Sequence, residues 1–281
     1  VVVGQNAIVG TGFAPGWGGG SCPTGNGNFE YMSSSAGTSF IATRNANGTG
    51  LQFFRFGIDF SGTTAQRTIT IGSDVDITPS QTYNLNSGCT TSGSMRLNVS
   101  NTAHNYVFKT LNAGTNPTGT FVVFEVQGTV HTVSSVTQAP ANNAVLPGSN
   151  VVITANLSGA LSSGQNVYLR YTSNNYTNST VVAMTGSGTT YTASIPAGTN
   201  TSGANVSYYV FTSGPSNVAT DGSNADLYTI NLNNNGGTNY NYTVLSPSTI
   251  YQHNFGTTAI SAHPYTVTPG TFAANLSNSS W

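Results

Sequence analysis

The strongest constraint on the fold is the alternation in Leu51 to Phe60, where Phe54, Phe56, Ile58 and Phe60 take turns with Phe53, Arg55, Gly57 and Asp59. A period of two puts one set on a core face and the other toward solvent or a second sheet, which is the signature of a strand. Short runs rich in Val, Ile, Tyr and Phe, separated by clusters of Gly, Asn, Ser and Thr, predict further strands at Arg67 to Gly72, Met95 to Val99, Tyr106 to Thr110 and Phe121 to Gln127. Helical periodicity is missing from this half of the chain.

A junction is expected at Val133 to Pro147, because Gln138-Ala-Pro-Ala-Asn-Asn and Leu146-Pro-Gly-Ser interrupt the strand signals. Beyond it, strands are predicted at Val151 to Leu157, Val167 to Tyr171, Val181 to Met184, Tyr191 to Ile195, Val206 to Phe211, Leu227 to Leu232 and Tyr240 to Leu245. About seven short strands in roughly a hundred residues is the pattern of an immunoglobulin-like or fibronectin type III-like sandwich. The expected architecture is therefore all-β: two tandem antiparallel β-sandwich domains over 1–132 and 133–247, the second immunoglobulin or fibronectin-like. Residues 248–281, too few to bury a core, read as a linker and the start of a further module. The alternative for this piece is a tail that adds a strand to an open sheet edge.

What such sheets could do is limited by charge. Six Lys plus Arg and seven Asp plus Glu make up 5% of 281 residues, against about a quarter in ordinary soluble domains. Asn, Ser, Thr and Gly fill the gap, so the surface is polar and uncharged, with a mean hydropathy of −0.10. Lys109 and five scattered arginines supply no phosphate-binding face, which argues against a nucleic-acid partner. No stretch approaches the ~18 apolar residues of a membrane span, and no signal-peptide pattern opens the chain.

Catalytic motifs are also missing: there is no Gly-x-Ser-x-Gly, His-Glu-x-x-His, phosphate loop or Cys-x-x-Cys. Glycoside hydrolysis needs two facing carboxylates, and the only acids are Glu30, Asp59, Asp74, Asp76, Glu125, Asp221 and Asp226. Glu30 with Asp59 is one conceivable pair. The expectation is a non-enzyme without cofactor.

Four minor sites stand beside that reading. Asp221, Asn224 and Asp226 place oxygen ligands around a glycine turn, as a calcium loop would, although the same residues serve as ordinary turn formers. Asp74 and Asp76 raise the same choice, while His104, His131, His253 and His263 are too dispersed for zinc. Cys22 and Cys89 fit one disulfide of an exported protein, closing a loop worth about 4 kcal/mol on loop entropy, although two buried thiols would look the same in sequence. Trp17, Tyr171, Tyr176 and Tyr228 are candidate sugar platforms, set against the commoner role of sandwich tyrosines in cores and corners. Arg55 and Arg170, amid aromatics, are expected to stack there or to pair with Asp59 or Glu125.

Seven segments carry a resemblance. Val167-Tyr-Leu-Arg-Tyr-Thr-Ser-Asn-Asn, Thr180-Val-Val-Ala-Met-Thr-Gly-Ser-Gly-Thr-Thr-Tyr-Thr-Ala-Ser-Ile-Pro and Val206-Ser-Tyr-Tyr-Val-Phe-Thr-Ser are similar to a sandwich module repeated in secreted multidomain proteins of Bacteroidota. Gly16-Trp17-Gly-Gly-Gly-Ser-Cys-Pro-Thr-Gly-Asn-Gly-Asn and Phe53-Phe-Arg-Phe-Gly-Ile-Asp resemble the module that precedes it, and His253-Asn-Phe-Gly-Thr-Thr and His263-Pro-Tyr-Thr-Val the start of one that follows. The resemblance implies an adhesin-like protein, secreted by the type IX route or displayed on the cell surface, whose partners are surface glycans or other cell-surface and secretion proteins. It equally admits a carbohydrate-binding region beside a secreted hydrolase, or a filament component.

Overall fold

The structure, a computed structural model, describes residues 6–17, 30–36, 39–59, 64–86, 88, 90, 92–113, 118–215, 218, 222 and 225–246. The first eleven strands are β1 (Asn6–Val9), β2 (Glu30–Tyr31), β3 (Ser33–Ala36), β4 (Ser39–Asn45), β5 (Gly50–Asp59), β6 (Thr64–Arg67), β7 (Val75–Asp76), β8 (Thr82–Asn84), β9 (Met95–Val99), β10 (Asn105–Ala113) and β11 (Thr118–Val126). One sheet runs β2-β1-β5-β9-β7, with β6 also on β5, and the other runs β3-β4-β10-β11-β8. The alternation in β5 does what a period of two requires: Phe54 and Phe56 are fully buried in the core between the sheets. There they meet Phe13, Phe108 and Phe121, with Phe54 edge-on to Phe108 at 5.2 Å between ring centroids. Edge-to-face contact is the arrangement that aromatic quadrupoles favour.

The second sandwich holds β12 (Val133–Ala139), β13 (Val151–Leu157), β14 (Asn166–Thr172), β15 (Thr180–Ala183), β16 (Thr185–Ser187), β17 (Thr190–Ile195), β18 (Asn205–Ser213), β19 (Asn231–Asn233) and β20 (Tyr240–Thr243), with a single turn of helix, α1 (Ala225–Tyr228). Its sheets are β12-β13-β17-β16 and β15-β14-β18, the last strand pairing with both β19 and β20. Two antiparallel sheets facing each other across a shared core make this half a β-sandwich. Val151, Ile153, Ala155 and Leu157 alternate inward from β13 against Val167, Leu169 and Tyr171 of β14 and Val206, Tyr208 and Val210 of β18.

Three sequence expectations shift. Val133–Ala139 is β12 and belongs to the second sandwich, so the turn residues from Pro140 onward end a strand instead of marking a linker. The predicted strand at Arg67 to Gly72 stops at Arg67, where β6 ends. Leu227 to Leu232 is not one strand but α1 followed by the three-residue β19. Leu227 of α1 and Ile230, two residues past its end, are both buried against the first sandwich. Residues 1–246 form one compact unit; 247–281, the expected start of a third module, lie outside the described residues.

Candidate functional site

Phe121-Val-Val-Phe124 in β11 is fully buried without a break, the pattern of a strand covered on both faces. Phe121 and Val123 face the first core, while Val122, Phe124 and Val126 face outward, together with Val107 of β10. The loop between β18 and β19 covers them: it carries α1, whose Leu227 packs with Ile230 onto this outer face. The Tyr228 ring lies 5.9 Å from that of Phe124, and its hydroxyl is 2.6 Å from Thr82 Oγ1. A third apolar cluster thus joins the two sandwiches.

Polar contacts flank this seam. The Gln127 amide donates to Ser163 O at 2.9 Å, Ser162 Oγ donates to Thr129 O at 2.8 Å, and Gln165 Nε2 donates to His131 O at 2.7 Å. Two glycines permit the approach: a β-carbon on Gly214 would stand 2.3 Å from Phe124 Cδ1, and one on Gly164, at φ +85°, would stand 2.1 Å from Glu125 O. Lys109 of β10 is fully buried. Burial pushes its amine down to about 8, with the Asp226 carboxylate pulling the other way.

The far side of the loop is held by Arg170 of β14. Its Nε donates to Ser179 Oγ at 2.8 Å, and its Nη1 donates to Tyr209 OH at 2.9 Å and to Asp226 Oδ1 at 3.2 Å. The guanidinium also lies over the Tyr176 and Tyr209 rings, at 5.2 and 5.8 Å. Arg170 therefore stacks on aromatics as expected, but its acid is Asp226 and not Asp59 or Glu125. Arg55 lies over Trp17 at 4.7 Å and donates to Gly93 O and Gln66 Oε1.

Of the candidate sugar platforms, Tyr176 and Tyr228 pack against one apolar cluster, while Trp17 and Tyr171 lie elsewhere. Trp17 is half-buried beneath Arg55 in the first sandwich, and Tyr171 is buried in the second core, with no face for a ligand. Tyr176 sits under Arg170, and Tyr228 belongs to the seam. Of the calcium candidates, Asp226 is engaged by Arg170, while Asp221 and Asn224 lie outside the described residues. Cys22 and Cys89 also lie outside them. No cluster of three or more His, Cys, Asp or Glu able to hold a metal occurs among the described residues.

Five of the acids are described, and each has a partner of its own. Glu30 pairs with Arg44, Asp76 with Arg96, and Asp74 accepts from the Ser94 amide. Glu125 Oε1 meets His104 Nδ1 at 2.8 Å and accepts from Tyr106 OH at 3.0 Å. The side chains of Asp59 and Asp221 lie outside the described residues. One open groove, about 430 Å³, runs along Asn142, Asn143 and residues 241–246. It presents amides and hydroxyls, and the hydroxyl of its Tyr242 is tied to Asn200 Oδ1 at 2.6 Å. The seam was not read from the sequence as a site; its one local signal is the unbroken Phe121-Val-Val-Phe124 run. Comparison of the chain with protein-family models, with curated proteins and with solved structures returns no match.

Proposed function

We propose that this chain is the non-catalytic, adhesin-like spacer region of a large bacterial protein that is secreted or displayed on the cell surface, of the kind found in Bacteroidota and exported by the type IX route. The observation that carries the reading is the seam: Phe124, Leu227 and Ile230 bury a shared apolar cluster between the sandwiches, so the pair acts as a single stiff rod segment and not as two beads on a flexible joint. The scarcity of ionisable side chains suits the same role, because a neutral polar surface depends little on salt or pH. The acids engaged in pairs and hydrogen bonds support an assignment without proton-transfer chemistry.

The test is exposure on the intact producing cell. Antibodies raised against residues 1–246 are expected to label unbroken cells or to find the protein in the medium. Signal confined to lysed cells overturns the assignment to the outside.

A further inference from the structure

In an asparagine followed by glycine, the next peptide nitrogen attacks the side chain with least hindrance, because glycine carries no β-carbon to shield it. The sequence holds three such pairs, Asn26-Gly27, Asn47-Gly48 and Asn235-Gly236. Asn26 and Gly27 lie outside the described residues. The fold treats the other two in opposite ways.

Asn47, in the link from β4 to β5, is clamped. Its Nδ2 donates to Thr11 O at 2.7 Å and to Ala14 O at 3.1 Å, and its main-chain amide donates to Gly12 O at 2.9 Å. Ring closure onto Gly48 has to break both side-chain bonds. Asn235 stands instead in a loop that leaves the sheet and returns two residues along β18, since Asn233 is paired with Val210 and Tyr240 with Tyr208. Asn235, Gly236, Gly237 and Thr238 are all exposed. Asn235 and Gly236 take left-handed φ values of +55° and +68°, and a β-carbon on Gly236 would meet open space. The bond that Asn235 Nδ2 donates, to Thr238 Oγ1 at 3.2 Å, stays within the same loop. Its neighbours are less well set: Asn233 and Asn234 are each followed by another asparagine, and their side-chain oxygens accept from Tyr240 OH at 2.8 Å and from the Gly237 amide at 3.1 Å.

We infer that Asn235 is a site of spontaneous deamidation, a slow covalent change that places a negative charge in a neutral part of the molecule. The Gly236 nitrogen attacks Asn235 Cγ and gives up its proton, the Cγ–Nδ2 bond breaks, and ammonia departs to leave a succinimide ring. Water then opens either ring carbonyl. One route gives aspartate, and the other gives isoaspartate, which carries an extra methylene in the main chain. No residue from Leu227 to Ser246 is charged, so the new carboxylate is the first ionised group on that stretch. The chemistry does not depend on the spacer role.

The test is incubation of the 281-residue chain in warm, mildly alkaline buffer, followed by chymotryptic digestion and mass spectrometry. Cleavage after Leu232 and Tyr240 frees residues 233–240, and cleavage after Phe40 and Leu51 frees residues 41–51. The first peptide is expected to gain, over time, the mass of an NH2-to-OH exchange, located at Asn235 by fragmentation and labelled by an isoaspartyl methyltransferase. The second, from the same digest, is expected to keep its mass. In denaturant, where the clamp is gone, Asn47 is expected to convert alongside Asn235. Asn235→Gln and Gly236→Ala are expected to suppress the gain. An unchanged first peptide overturns the inference, as does a gain located at Asn233, Asn234 or Asn239. Conversion of Asn47 as fast as that of Asn235 in the folded chain also overturns it, as does unaltered conversion in Gly236→Ala.

Discussion

Gly214 of the second sandwich lies so close to Phe124 of the first that a β-carbon on it would stand 2.3 Å from the ring's Cδ1. Backbone from one sandwich thus rests directly on an aromatic ring from the other, and side chains of α1 complete the enclosure. Contact of this closeness joins two folded bodies as a core does, through shape and excluded water.

Gly214→Ala forces the Phe124 ring to move and is expected to cost about 1–3 kcal/mol. Phe124→Ala, which empties the seam, is expected to cost about 3 kcal/mol. Denaturant unfolding followed by two probes, one in each sandwich, checks both. Wild-type transitions coincide, and in Phe124→Ala they separate.

Lys109 carries a pH dependence. Its folded pKa of about 8 lies below the ordinary 10.5, so between these values the unfolded chain binds the extra proton and stability rises with pH. Lysine stabilisation is complete above the unfolded pKa and is lost as pH falls through about 8. A gain of roughly 1–2 kcal/mol is expected between pH 8 and 9.5. Lys109→Met is expected to flatten this slope, read from denaturant midpoints across the range.

Arg170 and Asp226 form an unequal pair. The Arg170 side chain is 13% exposed and that of Asp226 is 64% exposed, so Asp226→Asn loses a solvent-screened contact worth at most about 1 kcal/mol. Arg170→Ala also strips a donor from Ser179 and Tyr209 and is expected to cost about 2–3 kcal/mol. Limited proteolysis of residues 214–230 reads the difference, with cleavage accelerated strongly in Arg170→Ala and little in Asp226→Asn.

Among the described residues the buried Tyr176 hydroxyl has no hydrogen-bond partner, whereas the ring is held under Arg170. Removing the oxygen alone relieves the desolvated group, so Tyr176→Phe is expected to be neutral or stabilising by up to about 1 kcal/mol. Tyr176→Ala, which removes the ring as well, is expected to destabilise. Thermal midpoints of the two variants check the contrast.

Alternation made most strands legible: Met95–Val99 and Val151–Leu157 coincide with their predicted ranges, and β14, β17 and β18 extend theirs by one or two residues at an end. Short polar strands such as Glu30–Tyr31 and Ser33–Ala36 were not legible, since pairing with β1 and β4 defines them and no apolar pattern does. The helical turn at Ala225–Tyr228 was hidden for a related reason, because Leu227 answers to the other sandwich while Ala225 packs on its own. Tyr171, buried in the second core, and Tyr228, packed by Phe124, take the core and corner role that was weighed beside the sugar-platform reading; which layer covers an aromatic is not written in its local stretch. Arg170 was correctly read as stacking on aromatics, but its acid arrives from a loop 56 positions away, beyond the reach of local pattern.

The central claim, that the seam makes the two sandwiches one stiff body, is tested most directly by backbone ¹⁵N relaxation of residues 1–246. The account predicts a single rotational correlation time shared by amides of β10 and β11 and those of β13 and β18. Two distinct correlation times, each suited to one sandwich tumbling alone, would contradict it.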